Sequence, residues 1–271
     1  MERRAERDSR SRALTVHPRT LETFASRGVH RSFTGEGLPI PGGHFAVLES
    51  RLDFRRLASP FPYTLALPQE RTEALLEQQA RERGADILRG HEVTGLTDGP
   101  GHVRVHIQAP DGPATLEAAY LVGCDGARST VRTCAGIDFP GTPSTLLGWL
   151  GDVVLDQPPA PGYSYFGPAG SLMAVLMPGG VHRLVGVTPR DLTTTWPGEL
   201  TMDELRENVV AMAGTDFGIR DPVWLSRYGN ATRLAARYRS GRVFLAGDAA
   251  HQHNAIRSAP TSPRPAAPRW L

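Results

Sequence analysis

Apolar and polar positions along the chain fall into a few distinct patterns, and their order sketches an architecture. Val243, Phe244, Leu245 and Ala246 form a short continuous apolar run, the pattern of a strand covered on both faces in a parallel sheet. Gly247-Asp248 follows at its carboxyl end, and Ala249-Ala250 suits a helix start. Leu121 and Val122 lead in the same way into Gly123-Cys124-Asp125-Gly126 and a polar segment able to turn into a helix. Helical spacing is clearest from Pro68 to Gly84, with Leu75, Leu76 and Ala80 on one stripe. Pro18 suits a first helical position, Leu21, Phe24 and Ala25 share a face, and Gly28 suits a stop. Thr201-x-x-Glu204 ahead of Leu205, Val209 and Val210 predicts a third helix opened by a capping box.

Between these lie strand patterns. Ile87 to Leu96, the alternating Val103, Val105 and Ile107, an Asp111-Gly112 turn and the strand entering Gly123 predict a β-meander. Residues 146–237 read mostly as strands, apart from the helix after Thr201. Residues 29–66, rich in Gly and Pro, read as irregular strands and loops, with Phe45, Phe54, Phe61 and Tyr63 divided between core and pocket lining. Met173, Met177, Phe166 and Trp149 divide in the same way.

Composition narrows the classes. At 271 residues and 40% hydrophobic content the chain can bury a sizeable core. All 30 basic residues are Arg, interleaved with 28 acidic ones, so the net charge of +2 forms no basic stripe and a nucleic-acid partner is not expected. Cys124 and Cys134 fit neither a disulfide framework nor paired metal ligands and are expected as small packed residues. The charged amino terminus lacks the apolar core of a signal peptide, and no run of about 18 apolar residues occurs, so the expectation is a cytoplasmic protein without a membrane partner.

The candidate chemistry is sparse. An acid between a buried strand and a helix start sits where open α/β sheets bind ligands, and it can accept hydrogen bonds from sugar-like hydroxyls. Asp125 and Asp248 both qualify, and Asp248 could instead merely cap the following helix. His251 and His253 are neighbours with no third ligand near them in sequence, so no metal site is expected. No G-x-G-x-x-G occurs.

Four stretches in fixed order carry a resemblance: RALTVHPRTLE with Arg27-Gly28 behind it, LPQERTEALL, YLVGCDGARSTVR and GRVFLAGDAAH. Together they resemble the FAD-dependent aromatic hydroxylases of the p-hydroxybenzoate hydroxylase fold, in the branch acting on aromatic polyketides and rifampicin-like antibiotics, from about Glu2 to His251. The resemblance implies an α/β (α+β) protein. A Rossmann-like FAD-binding domain over 1–28, 67–145 and 238–256 would lack its first β-α unit, and a mostly antiparallel substrate domain over 29–66 and 146–237 would be inserted into it. Four prolines predict a disordered tail at 257–271, so the site is expected to be truncated at both ends.

What the resemblance implies for chemistry is that NAD(P)H reduces FAD, and the reduced flavin with O2 hydroxylates an electron-rich small aromatic substrate. It places Glu2 as the ribose-binding acid and Arg3 beside the adenosine. Arg12 and Gln69 would lie at the flavin, backbone near Val93 at the adenine, and Asp125 and Asp248 at cofactor hydroxyls. The alternatives are a frayed terminus for residues 2–12, a loop role for Arg12 paired with Glu6 or Asp8, and an exposed first-turn role for Gln69. At the level of the whole chain the alternatives are a non-catalytic fragment with little FAD affinity and a different flavoprotein of the same broad fold. Substrate identity and oligomeric state are not legible.

Overall fold

The computed structural model describes residues 1–8, 10–44 and 51–253. Phe45 and the stretch 257–271 lie outside the described residues. The chain forms two compact units that divide between Ala119 and Tyr120. Among the described residues no helix is long and apolar enough to cross a membrane.

In the first unit, helix α1 (Pro18–Ala25) begins at its proline and buries Leu21. Gly28, at φ +71°, turns the chain into α2 (His30–Thr34), a helix where the sequence pattern predicts irregular strands and loops. Five residues are too few to show a period, yet Phe33 is fully buried with its ring 4.4 Å from that of Phe24. Strands Thr15–Val16, Thr64–Ala66 and Leu38–Ile40 make a small sheet in that order. Val16, Leu21, Val29, Phe33, Phe61, Leu65, Leu67 and Leu75 form the core beside it. Helix α3 (Gln69–Glu82) buries only Leu75 and leaves Leu76 exposed, so its apolar stripe is narrower than its spacing predicts.

The meander runs through Glu92–Asp98, Val103–Ala109 and Gly112–Ala118, with Val103, Val105 and Ile107 alternately buried. Its first strand begins at Glu92, five residues later than the apolar pattern suggests. The preceding residues pair instead with the amino terminus, where Glu2 and Arg89 form a parallel bridge.

In the second unit an antiparallel sheet is ordered Ser164–Gly167, Gly170–Leu176, His182–Val187, Leu147–Leu155, Ile219–Gly229. Helix α5 (Met202–Ala213) covers one face through Leu205, Val209 and Met212, against Trp149, Val153, Leu172 and Leu184. Each such Leu or Val contributes about 1.5–3 kcal/mol on full burial. Gly151 permits the approach, because a Cβ there would lie 2.5 Å from Leu205 Cδ2. The helix opens on Thr201, whose hydroxyl accepts the Glu204 amide. The reciprocal half of the expected capping box gives way to another partner: Glu204 accepts from the buried Arg227 guanidinium at 2.5 Å. Val210 is 46% exposed and stands outside the apolar face.

Two strands of this unit run parallel, Leu121–Gly123 beside Val243–Leu245, with Arg239–Ser240 antiparallel on the far side of the latter. The larger sheet lies between these parallel strands in sequence. After Leu245 the expected helix is replaced by a single 3-10 turn, Gly247–Ala249. The chain then returns to extended backbone, because His251–Gln252 pairs with the strand Thr232–Leu234 and the Ala250 carbonyl accepts the Ala235 amide. Trp149 is fully buried core, whereas Phe166 is 70% exposed. Both cysteines are exposed, contrary to the packed role expected of them.

Candidate functional site

The two acidic turns emerge from neighbouring strands at the same end of a parallel pair. Leu121, Val122 and Gly123 stand opposite Val243, Phe244 and Leu245, and the Ala246 amide continues the pairing by donating to the Gly123 carbonyl at 2.9 Å. Asp125 and Asp248 therefore both follow the carboxyl ends of adjacent parallel strands, where such sheets bind ligands. Gly123 makes the arrangement possible, since a Cβ there would lie 2.7 Å from Val131 in helix α4 (Thr130–Cys134).

The two acids have different roles in the fold. One Asp125 oxygen accepts the Val131 amide at 3.0 Å and the other accepts the Ser129 hydroxyl, so its carboxylate caps α4. Ser129, fully buried, accepts the Arg132 amide in turn. Asp248 is exposed, follows Gly247 at φ +59°, and makes no side-chain hydrogen bond or ion pair among the described residues. Beside them the Cys124 thiol is pushed up by partial desolvation and then by the Asp125 charge.

Arg132 ties these turns together and was missed in the sequence reading. Its buried guanidinium donates to the carbonyls of Ala249 at 3.0 Å and Ala127 at 2.8 Å, and lies 3.8 Å over the Phe139 ring. Burial pushes its pKa down, and the Asp125 charge opposes that shift. No local signal marks it, since Ala249 approaches only in the folded chain.

The first unit holds the other sequence-predicted positions. Residues 11–14 lie along the start of α3. The buried Ser11 hydroxyl accepts the Glu70 amide at 3.1 Å, Gln69 donates its amide to the Ala13 carbonyl at 2.9 Å, and Ala13 donates to Gln69 Oε1 at 3.2 Å. Arg12, exposed, is thereby fixed next to Gln69 in the backbone, while Gln69 Nε2 donates to Glu73 at 2.7 Å. Asp8 is engaged by Arg4 and Arg10.

The amino terminus is docked. The Glu2 amide donates to the Leu88 carbonyl at 2.8 Å, the His91 amide donates to the Glu2 carbonyl at 3.0 Å, and the Glu2 carboxylate accepts the Arg4 amide at 3.0 Å. Arg3 is exposed. Val93 stands opposite Ile107 where the meander bulges. Glu2 with Arg89, Arg12 with Gln69, and Asp125 with Asp248 are thus brought together pairwise.

This arrangement fits a cofactor rich in hydroxyl groups, because Asp248 offers an exposed acceptor that the fold itself does not use. A model of the FAD binding domain matches residues 1–258. The chain belongs to that family. It is 46% identical over 245 residues to the uncharacterized aromatic compound monooxygenase YhjG of Bacillus subtilis, covering 90% of this chain and 49% of that protein. It is 40% identical over 258 residues to the rifampicin monooxygenase of Streptomyces venezuelae, covering 93% and 53%. Among solved structures, the OxyS anhydrotetracycline hydroxylase from Streptomyces rimosus superposes with a TM-score of 0.83 at 39% identity, covering 93% of this chain and 51% of that one. The chain spans about half the length of these relatives.

Proposed function

We propose that the chain supplies the FAD-holding and substrate-roofing part of a monooxygenase that hydroxylates an aromatic, polyketide-like or antibiotic-like substrate with NAD(P)H and O2. The observation that carries this reading is the exposed Asp248 acceptor at the carboxyl end of one parallel strand, beside a second acidic turn braced by Arg132. In the proposal Asp248 accepts a hydrogen bond from a cofactor hydroxyl, and Asp125 shapes the adjoining turn. Glu2 accepts from the adenosine ribose with Arg3 beside it, Arg12 and Gln69 face the flavin, and backbone near Val93 meets the adenine. The fold is read as Rossmann-like. Bound FAD supplies the redox chemistry, so the protein binds, orients and shields.

Equilibrium flavin titration tests the reading. Asp248→Ala should weaken FAD binding by about 1.5–3 kcal/mol, the contribution typical of a hydrogen bond to a charged group, and more than Gln69→Ala does. NAD(P)H consumption with a panel of polycyclic phenols tests the activity. A second reading, a non-catalytic portion with little FAD affinity, is favoured by the half-length match to the relatives. Tight FAD binding with substrate-dependent NAD(P)H oxidation by the chain alone would exclude it.

A further inference from the structure

One carboxylate in the first unit gathers three arginines from separate stretches of chain. Glu77, midway along α3, accepts from Arg7 at 3.1 Å, from Arg89 at 2.5 Å and from Arg81, one helical turn on, at 3.0 Å. Its side chain is only 15% exposed, and the three guanidinium groups depress its pKa to about 2, Arg89 most strongly. Arg7 belongs to the amino-terminal segment and Arg89 to the segment that segment docks on. These two stretches also share backbone hydrogen bonds, Glu2 to Leu88, Gly90 to Arg4 and His91 to Glu2.

We infer that Glu77 is a positioning residue that clamps residues 2–7 against residues 88–91, and thereby sets where the Glu2 carboxylate stands for a cofactor ribose. The backbone pairing is a single bridge with three hydrogen bonds, too little to hold the segment in place by itself. The side-chain hub adds a second tether to each partner. It is also the sole acid holding Arg7 and Arg89 near each other among the described residues, so without it like charges would drive the two segments apart. The cofactor half of this inference rests on the ribose reading of Glu2 proposed above.

The test is Glu77→Gln in the full chain, read by amide hydrogen exchange and FAD titration at low salt and at about 1 M salt, where charges are screened beyond about 3 Å. Exchange at Gly90 and His91 should rise at least about tenfold while α3 keeps its protection, and FAD affinity should fall by a similar factor. The salt response separates positioning from loss of fold. Salt should loosen the clamp in the parent, where it screens attraction, and tighten it in the variant, where it screens repulsion. Arg7→Gln, outside the helix, should release residues 2–7 with α3 intact, which keeps the test valid should Glu77→Gln unfold α3.

Unchanged exchange at Gly90 and His91 in both variants would overturn the clamp. Faster exchange with unchanged FAD affinity, where Glu2→Gln does weaken FAD, would overturn the positioning role. If Glu2→Gln has no effect, or the chain binds no FAD, the ribose reading itself fails, and the exchange data alone decide the clamp.

Discussion

The buried guanidinium of Arg132 donates to the Ala249 carbonyl across 117 residues of sequence, joining the turn of Asp125 to the turn of Asp248. It also satisfies the Ala127 carbonyl, so a single side chain terminates two loops that have no backbone ladder of their own at that point. Arg132→Met keeps much of the apolar stem over Phe139 and removes both donors. It should destabilise the chain by about 3–6 kcal/mol, since two hydrogen bonds to a charged group, at about 1.5–3 kcal/mol each, are lost and the buried Ala249 carbonyl is left unmet. A lower urea midpoint with unchanged slope would show it, and a loss below about 0.5 kcal/mol would contradict it.

Asp152 and Arg183 make a bidentate pair, both bonds 2.7 Å, on directly opposed positions of neighbouring strands, with side chains 8% and 3% exposed. Asp152→Ala should cost about 3–5 kcal/mol, because it removes the carboxylate partner of a buried cation. Replacing both with Leu and Met should recover most of that loss. Thermal unfolding of Asp152→Leu, Arg183→Met and the double variant forms the cycle that checks it.

Much of this architecture was legible in the residues, and the reasons for the misses are physical. Helices α3 and α5, the alternating Val103, Val105 and Ile107, and the parallel strands ending at Gly123 and Leu245 all declare themselves through local apolar patterns, although Leu76 and Val122 of those patterns are exposed. Misses occurred where a distant partner decided the outcome. Glu204 looks like half of a capping box until Arg227 arrives from another strand, and Ala249-Ala250 looks like a helix start until residues 232–235 pair with the segment beyond it. Asp125 and Asp248 look alike in sequence, and only the folded chain shows that one carboxylate is already engaged.

Acid stability offers a direct readout of Glu77. Its folded pKa of about 2 lies below the ordinary 4.5, so its contribution is fully present above about pH 4.5 and is lost as pH falls towards 2. Glu77→Gln should therefore be less stable than the parent at neutral pH, with the difference shrinking on acidification through that window. Parallel denaturation curves at pH 6 and about pH 3 would reveal it, and a difference independent of pH would contradict the assignment.

Tyr228 should act at the opposite end of the scale. Burial, and then the Asp191 charge, push its phenol above the ordinary value of 10, and its hydroxyl donates to the Gly186 carbonyl at 3.2 Å. The unfolded chain ionises first, so stability is held below about pH 10 and falls as pH rises beyond it. Tyr228→Phe should remove that alkaline loss at the cost of about 1 kcal/mol at neutral pH for the hydrogen bond. Phenolate absorbance at high pH, followed alongside unfolding, would reveal whether Tyr228 ionises only as the chain unfolds.

The two acidic turns should respond to the same substitution in opposite ways. Asp125→Ala removes the acceptor of both the Val131 amide and the Ser129 hydroxyl, so the amino end of α4 keeps only its Ser129 cap and about 1–3 kcal/mol of stability should be lost. Asp248→Ala removes an exposed carboxylate with no internal partner among the described residues, and stability should change by no more than about 0.5 kcal/mol. If Asp248 is the cofactor acceptor, its loss should lower FAD affinity by about one to two orders of magnitude, since each 1.4 kcal/mol is about tenfold. Asp125→Ala should lower FAD affinity only in step with the disorder it introduces, and lowering the temperature should restore part of it. A substantial loss of stability in Asp248→Ala, or FAD binding indifferent to it in a chain that binds FAD, would remove Asp248 from the site and with it the observation on which the proposed function rests.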